Sequence, residues 1–448
     1  MKEVKTIYFL GIGGIGMSAL ARFFKKQGAD VYGYDRVETP LTLQLEKEGM
    51  HIHYKEDVAA IPANLDTVIY TPAIPKDNKE YCYFVDKEYE LKKRAEVLGD
   101  ISQEFFTIAI AGTHGKTSIS SMAAHILKAA GKNITALVGG ILKNYNSNFI
   151  LSEKTDLLVV EADEYDRSFL QLHPDISVIT SMEADHLDIY GTGRELKKNF
   201  ILFAERLSNS GVLIYHQGLN NLEKVSNNPI TYSAKGKADC LAENVRIESG
   251  EFIFDLNFGS KQINNIKLRV PGLHYVENAL AAAVIGFKVG LTADEIKSGL
   301  ESFEGVQRRF DYRIKTEDMV FIDDYAHHPG ELNVTIEAAK ALYPNKKITG
   351  VFQPHLFSRT NDFAEEFAAA LDKLDEIILL DIYPAREKPM PGVTSMIIFD
   401  KMKNNNKKLM NKQQLLTWLS GNKPEVLLTL GAGDIGLMLD DIENSLIK

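Results

Sequence analysis

Residues 107–118 read TIAIAGTHGKTS, and no other stretch restricts the fold so strongly. Thr107 to Ala111, small or β-branched and apolar, predict a buried strand. Gly112-Thr113-His114-Gly115 is a turn, and Lys116-Thr117-Ser118 opens a helical run towards Gly131. Strand, glycine turn, Lys-Thr and helix is the layout of a phosphate-binding loop. Backbone N–H groups curl round phosphate oxygens there, and the helix N-terminus adds partial positive charge. Lys116 then reaches the outer phosphates and Thr117 offers its hydroxyl to Mg²⁺. The strict G-x-x-x-x-G-K-[ST] pattern asks for glycine at 110, where this chain has Ile110. With that one departure, the sequence predicts a nucleoside-triphosphate site.

A second glycine loop lies near the N-terminus. Residues 5–10 (KTIYFL) predict a strand, Gly11-Ile12-Gly13-Gly14-Ile15-Gly16 opens a helix to about Gln27, and a strand at 31–34 ends at Asp35. This is G-x-G-x-x-G after a strand, with an acid about 20 positions on. Taken alone it predicts NAD, although the same turn holds any diphosphate at a helix N-terminus. A further strand at 66–70 leads into Thr71-Pro72-Ala73, where loops line the ligand crevice of open α/β sheets.

The 448 residues suit roughly three domains of ordinary size. A net charge of −10 without a dominant basic patch argues against a nucleic-acid partner. Cys82 and Cys240 stand too far apart for a disulfide framework or zinc spacing, which points to a reducing compartment. The glycines of 11–16 spoil the only stretch that could pass for a secretory leader, and no apolar run nears the roughly 18 residues of a membrane span. The expectation is a cytoplasmic protein, monomer or homodimer, with no membrane insertion.

Downstream of the phosphate loop, 156–160 (DLLVV) predicts a strand ending in Glu161-Ala162-Asp163-Glu164, where an Mg²⁺-side acid belongs. Residues 176–180 lead into Ser181–Asp188, acids around His186 and a second candidate metal loop. Chemistry alone leaves His186 open, since Mg²⁺ prefers hard oxygen ligands and a loop hydrogen bond explains the residue as well. Residues 207–270 read as short strands of an antiparallel extension. An Ala-rich helix after Pro271-Gly272 carries Asn278, a surface residue or a base-reading amide. Residues 305–313 (GVQRRFDYR) read as a linker. Strands at 319–323, 348–352, 376–380 and 425–430 then build a third domain. Their following loops carry Asp323-Asp324-Tyr325-Ala326-His327-His328, Gln353 to Arg359, and Gly431 to Asp434, which together predict one lined cleft. The Lys- and Asn-rich run 401–408 reads as a solvated loop. The predicted boundaries are 1–101, 102–307 and 308–448. An oxidoreductase would leave the phosphate loop idle and a nucleotide motor would leave two α/β domains idle. An ATP-dependent ligase uses all three.

Motif by motif, the chain resembles the Mur ligases of bacterial cell-wall synthesis: GIGGIGMSALA at 11–21, AGTHGKTS at 111–118, EADEYDRSFL at 161–170, EADHLD at 183–188, RRFD at 308–311, DDYAHHP at 323–329, FQPHLFSRT at 352–360 and GAGDI at 431–435. The family's loop is the shorter G-[TS]-x-G-K-[TS], which accounts for Ile110. The resemblance implies an α/β fold of three domains. The first is Rossmann-like, the second a P-loop ATPase domain with a parallel sheet and a small antiparallel extension, the third again Rossmann-like. It implies a ligase that activates a carboxylate as an acyl phosphate with ATP and Mg²⁺, two ions in all. The pattern is similar to that of members that join L-alanine to UDP-N-acetylmuramate. The alternative is the recycling members, which attach the intact L-alanyl-γ-D-glutamyl-meso-diaminopimelate tripeptide; EADHLDIY and the chain length favour alanine.

By the same resemblance, Gly11, Gly13, Gly14, Gly16, Asp35, Thr71 and Ala73 hold the UDP-sugar. Gly112, Thr113, His114, Gly115, Lys116, Thr117, Ser118, Asn278, Arg309 and Asp324 hold ATP. Lys116, Arg309 and His327 are catalytic, Thr117, Glu161 and His186 bind metal, and Tyr325, His355 and Arg359 receive L-alanine. The chain departs from the family at Leu356, where many relatives carry Arg, and at Tyr275, where Asn is frequent. Lys197 and Lys198 align with no carbamylated-lysine role.

Overall fold

The computed structural model describes residues 4–183, 187–226, 229–385 and 387–447, so His186 lies outside the described residues. The chain divides into two compact units. One comprises residues 1–244, 254–266 and 277–303, the other 245–253, 267–276 and 304–448.

The first unit opens with five strands: β1 (Thr6–Leu10), β2 (Asp30–Tyr34), β3 (His51–His53), β4 (Thr67–Tyr70) and β5 (Leu91–Lys93). They lie in the order β3-β2-β1-β4-β5, every pair parallel. The order turns back between β1 and β4, so the loops after these two strands flank a switch-point crevice. The helix Ile15–Lys26 buries Met17, Leu20, Phe23 and Phe24 along one face, the spacing of an amphipathic helix.

Ten more strands follow: β6 (Phe106–Ala111), β7 (Ile134–Leu142), β8 (Ser147–Leu151), β9 (Leu157–Glu161), β10 (Ile176–Ile179), β11 (Val212–His216), β12 (Ile230–Ser233), β13 (Cys240–Glu248), β14 (Glu251–Phe258) and β15 (Lys261–Leu268). Their order is β15-β14-β13-β12-β11-β10-β6-β9-β7-β8. β6 sits inside with β9 and β10 parallel on either side, so three strand ends open together beside the phosphate loop. The antiparallel extension expected over 207–270 is shorter than that. β11 and β12 continue the parallel sheet, and β12 pairs in parallel with β13 as well. One continuous buried cluster runs from Ile7, Phe9 and Leu20 to Val160, Ile179 and Leu213, so the two sheets share a core. Arg22 is buried at this junction. It is tolerated there because its guanidinium is paired with Glu48 at 2.7 and 2.8 Å and also donates to Asn148 Oδ1. Asn148 in turn donates to the Ile15 carbonyl at 2.6 Å and to Ser18 Oγ at 3.0 Å.

The second unit holds β16 (Asp311–Lys315), β17 (Val320–Asp324), β18 (Ile348–Phe352), β19 (Glu376–Leu379), β20 (Lys407–Leu409) and β21 (Val426–Leu430). Their order is β16-β17-β21-β18-β19-β20, parallel except for the β16–β17 pair. Two local readings change. β16 begins at Asp311, inside the expected linker, and β20 takes up the last two residues of the Lys/Asn run expected to be a loop. β20 is an edge strand, where charged side chains are tolerated. Lys407 Nζ donates to the Phe399 and Met402 carbonyls at 2.7 and 2.6 Å, and Lys408 pairs with Glu376. Among the described residues no helix is long and apolar enough to cross a membrane.

Candidate active site

The phosphate loop leaves the end of β6 and is clamped from the loop after β10. Ser181 Oγ accepts from His114 N at 2.9 Å and lies 3.0 Å from Thr113 Oγ1, Glu183 N donates to Thr113 Oγ1 at 2.9 Å, and Thr180 Oγ1 donates to the His114 carbonyl. Gly112 is obligatory. Its φ is +140°, and a Cβ there would sit 1.9 Å from Thr180 Oγ1. The helix Lys116–Ala129 starts at Gly115 with no side-chain cap, which leaves its first N–H groups facing the turn. Asn278 Oδ1 is 3.2 Å from the place a Gly115 Cβ would take, so the helix carrying Asn278 borders this loop.

Lys116 Nζ donates to both Glu164 oxygens, at 2.7 and 2.9 Å, and to the Gly112 carbonyl at 2.5 Å. Burial alone would lower its pKa, but Glu164, Asp163 and Glu161 outweigh that and hold the ammonium above its ordinary value. Thr117 Oγ1 donates to Glu161 Oε1 at 2.9 Å, and Gly139 N donates to Glu161 Oε2 at 2.6 Å. A Cβ on Gly139 would lie 2.2 Å from that oxygen. The Thr117 hydroxyl and the Glu161 carboxylate form a compact set of hard oxygen donors, which fits Mg²⁺. Sequence reasoning missed Gly139. The signal was a Gly-Gly pair inside the otherwise apolar strand ITALVGGIL.

At the first glycine loop, Gly11 has φ +86° and abuts Thr71, whose Cγ2 would be 2.6 Å from a Gly11 Cβ. Asp35 Oδ2 accepts from Gly13 N at 2.8 Å, so the fingerprint acid braces the turn itself. The helix N-cap, Gly14, has no side-chain cap, and Ala73 N donates to Thr71 Oγ1 at 3.4 Å. Two further features escaped the sequence. Arg94 stands 3.1 Å from a Gly16 Cβ position and donates to Asp163 at 3.3 Å. Buried Glu80 accepts from Tyr8 OH at 2.6 Å, and that hydroxyl lies 2.7 Å from His53 Nε2.

In the second unit, the loop after β17 carries the predicted cluster. Asp324 Oδ2 accepts from Phe310 N and Oδ1 from Ala326 N, both at 2.8 Å. Burial raises its pKa to about 6, against Arg309 and these two N–H groups, which lower it. His327 Nδ1 donates to the Tyr325 carbonyl at 3.0 Å, which leaves Nε2 as the acceptor nitrogen. Burial lowers the His327 pKa to about 4 although Glu331 pulls it up, and Arg359 and Arg309 lower it further. The His327 and His355 rings are 5.9 Å apart, and buried Arg359 reaches His355 Nδ1 at 3.5 Å, so these three predicted residues do come together. Tyr325 lies under both Arg308 and Arg309, at 5.1 and 5.3 Å from its ring centre. Arg308, which sequence reasoning passed over, pairs with fully buried Asp323 at 2.9 Å and donates to the Gly431 carbonyl at 2.7 Å. Of the two departures, Tyr275 is buried with its hydroxyl donating to the Arg309 carbonyl at 3.0 Å. Leu356 is buried too, with φ +71°.

A phosphate loop, an acid at the adjacent strand end and a switch-point glycine loop define an α/β nucleotide-binding protein of the P-loop type. Residues 6–106 match the Mur ligase family catalytic domain, 110–286 the Mur ligase middle domain and 308–433 the Mur ligase glutamate ligase domain. The UDP-N-acetylmuramate–L-alanine ligase of Flavobacterium johnsoniae is 46% identical over 452 residues, spanning 100% of this chain and 99% of that one. Its counterpart from Flavobacterium psychrophilum is 47% identical over 450 residues, with 100% and 99% covered. Among solved structures, the UDP-N-acetylmuramate–alanine ligase of Thermotoga maritima superposes with a TM-score of 0.84 at 28% identity, covering 98% of each chain. A murein peptide ligase from Psychrobacter arcticus gives 0.73 at 21% identity, covering 99% of this chain and 98% of that one, a likeness of fold. The chain belongs to the Mur ligase family.

Proposed function

We propose that this chain is an ATP-dependent ligase joining L-alanine to the lactyl carboxylate of UDP-N-acetylmuramate, with release of ADP and phosphate, in peptidoglycan precursor synthesis. The observation that carries the reading is the Lys116 and Thr117–Glu161 arrangement at the end of β6, in a chain aligned over its whole length with alanine-adding relatives. A carboxylate is a poor electrophile until one oxygen becomes a leaving group. The loop N–H groups and the helix N-terminus hold the triphosphate, and Lys116 stabilises charge on the transferring γ-phosphoryl group. The lactyl carboxylate oxygen attacks that phosphorus and ADP leaves; the alanine nitrogen then attacks the acyl carbon and phosphate leaves. Thr117 and Glu161 would hold Mg²⁺, which would supply charge neutralisation on the phosphates.

Alanine must lose a proton before its nitrogen can attack. His327, neutral at pH 7 with Nε2 open to accept, is assigned that task, and Arg359 the substrate carboxylate. Residues 1–101, 102–307 and 308–448 serve the sugar nucleotide, ATP and the amino acid in turn. A second Mg²⁺ at His186 rests on the family resemblance alone. Cys82 and Cys240 are free thiols, in keeping with work in the cytoplasm. The test is phosphate release from Mg–ATP with UDP-N-acetylmuramate, comparing L-alanine with the L-Ala-D-Glu-diaminopimelate tripeptide. Turnover with alanine is the expected result; turnover with the tripeptide alone would replace this reading with the recycling one.

A further inference from the structure

We infer that Glu164 is the resting counter-ion of Lys116, a positioning residue that the nucleotide must displace before the lysine can act. The inference rests on the nucleotide reading above and deepens it. An ammonium has three donors, and in this structure three acceptors meet them: the two Glu164 oxygens and the Gly112 carbonyl. A phosphate oxygen reaches Nζ only by replacing one of these.

The carboxylate is the fixed partner of the pair. Its side chain is 1% exposed against 15% for Lys116. Its carbonyl accepts from Tyr190 OH at 2.5 Å and from Arg167 N at 3.0 Å. Flanking residues are pinned as well, Asp163 by Arg94 at 3.3 Å and Asp166 by Lys93 at 2.8 Å. Asp166 and Arg167 sit at φ +53° and +55°, a left-handed turn held by these surroundings. Lysine, with four rotatable carbons, is the member that moves.

The neighbouring acid behaves differently. Glu161 is paired with a neutral hydroxyl and a backbone N–H, so a cation joins that set without breaking an ion pair. Glu164 must give up a buried partner, and the lost pairing subtracts from nucleotide affinity. Once the γ-phosphoryl group has gone, Lys116 returns to Glu164, which favours release of ADP.

The experiment is calorimetric titration of the full chain with Mg–AMP-PNP. Glu164→Gln removes the competing charge at constant shape and should tighten binding about tenfold. Unchanged or weaker binding by the variant, with wild type binding normally, overturns the inference while leaving the nucleotide reading intact. Failure of wild type to bind at all sinks the nucleotide reading instead. A second measurement stands even where E164Q folds poorly. In nucleotide-free protein, Lys116→Met takes the ammonium away from the buried Glu164 carboxylate, so this variant should melt below the double variant K116M/E164Q. The opposite order overturns the pairing.

Discussion

The two glycine loops look alike on paper and are equipped for different work. Both put uncapped helix N-termini at the ends of parallel strands. In the first, an acid, Asp35, holds the turn through Gly13 N, and no lysine follows the glycines. In the second, neutral hydroxyls of Thr180 and Ser181 hold the turn, and Lys116 follows it with two carboxylates close by. A loop braced by an acid can bind a diphosphate and leave it unchanged. A loop braced by hydroxyls, with a movable cation, can follow charge as it shifts during phosphoryl transfer.

The comparison breaks most visibly at Lys116. Lys116→Ala should cut turnover by about a thousandfold or more, while calorimetry finds UDP-N-acetylmuramate binding as in wild type. Loss of both would mean the two loops are not separate devices. Next comes Gly139→Ala. Its new methyl falls on Glu161 Oε2, so the Mg²⁺ concentration for half-maximal rate should rise about tenfold or more with the melting temperature little changed. Asp35→Ala acts on the other loop. Without its brace, sugar-nucleotide affinity should drop by about tenfold, with AMP-PNP binding unaltered.

The smallest effects are in the second unit and have opposite signs with pH. Asp324 has a raised folded pKa, so its contribution to stability is full below about pH 4 and is lost as pH rises through about 6. His327 has a lowered one, so its contribution is full above about pH 6.5 and is lost as pH falls towards 4. Urea titrations of Asp324→Asn and His327→Gln against wild type across pH 4–7 should show these opposed slopes. Slopes of the same sign would refute the assignment whose predicted sign they reverse.

Much of this was legible in the chain because strand-turn-helix chemistry is local. Both loops, Glu161 and the clusters after β17 and β18 were found from spacing alone, and the structure brings His327, His355 and Arg359 together as read. What stayed hidden depends on partners distant in sequence. Gly139 matters only because Glu161 lies across the strand pair, and Glu164 only because Lys116 folds back to it. β20 was masked by lysines that an edge strand accommodates. Arg308 looked like linker charge until Asp323 was seen to need it.

The core shared by the first two sheets has a consequence for synthesis. Residues 1–101 leave the ribosome before the strands that cover them exist. Phe23, Phe24, Leu98 and Ile101 belong to a cluster completed only by later residues such as Phe149, Phe169 and Phe200. Arg22 likewise waits for Asn148. The nascent first segment is thus an apolar surface in need of shelter, and a gene cut after residue 101 would encode a sticky fragment rather than a free-standing domain.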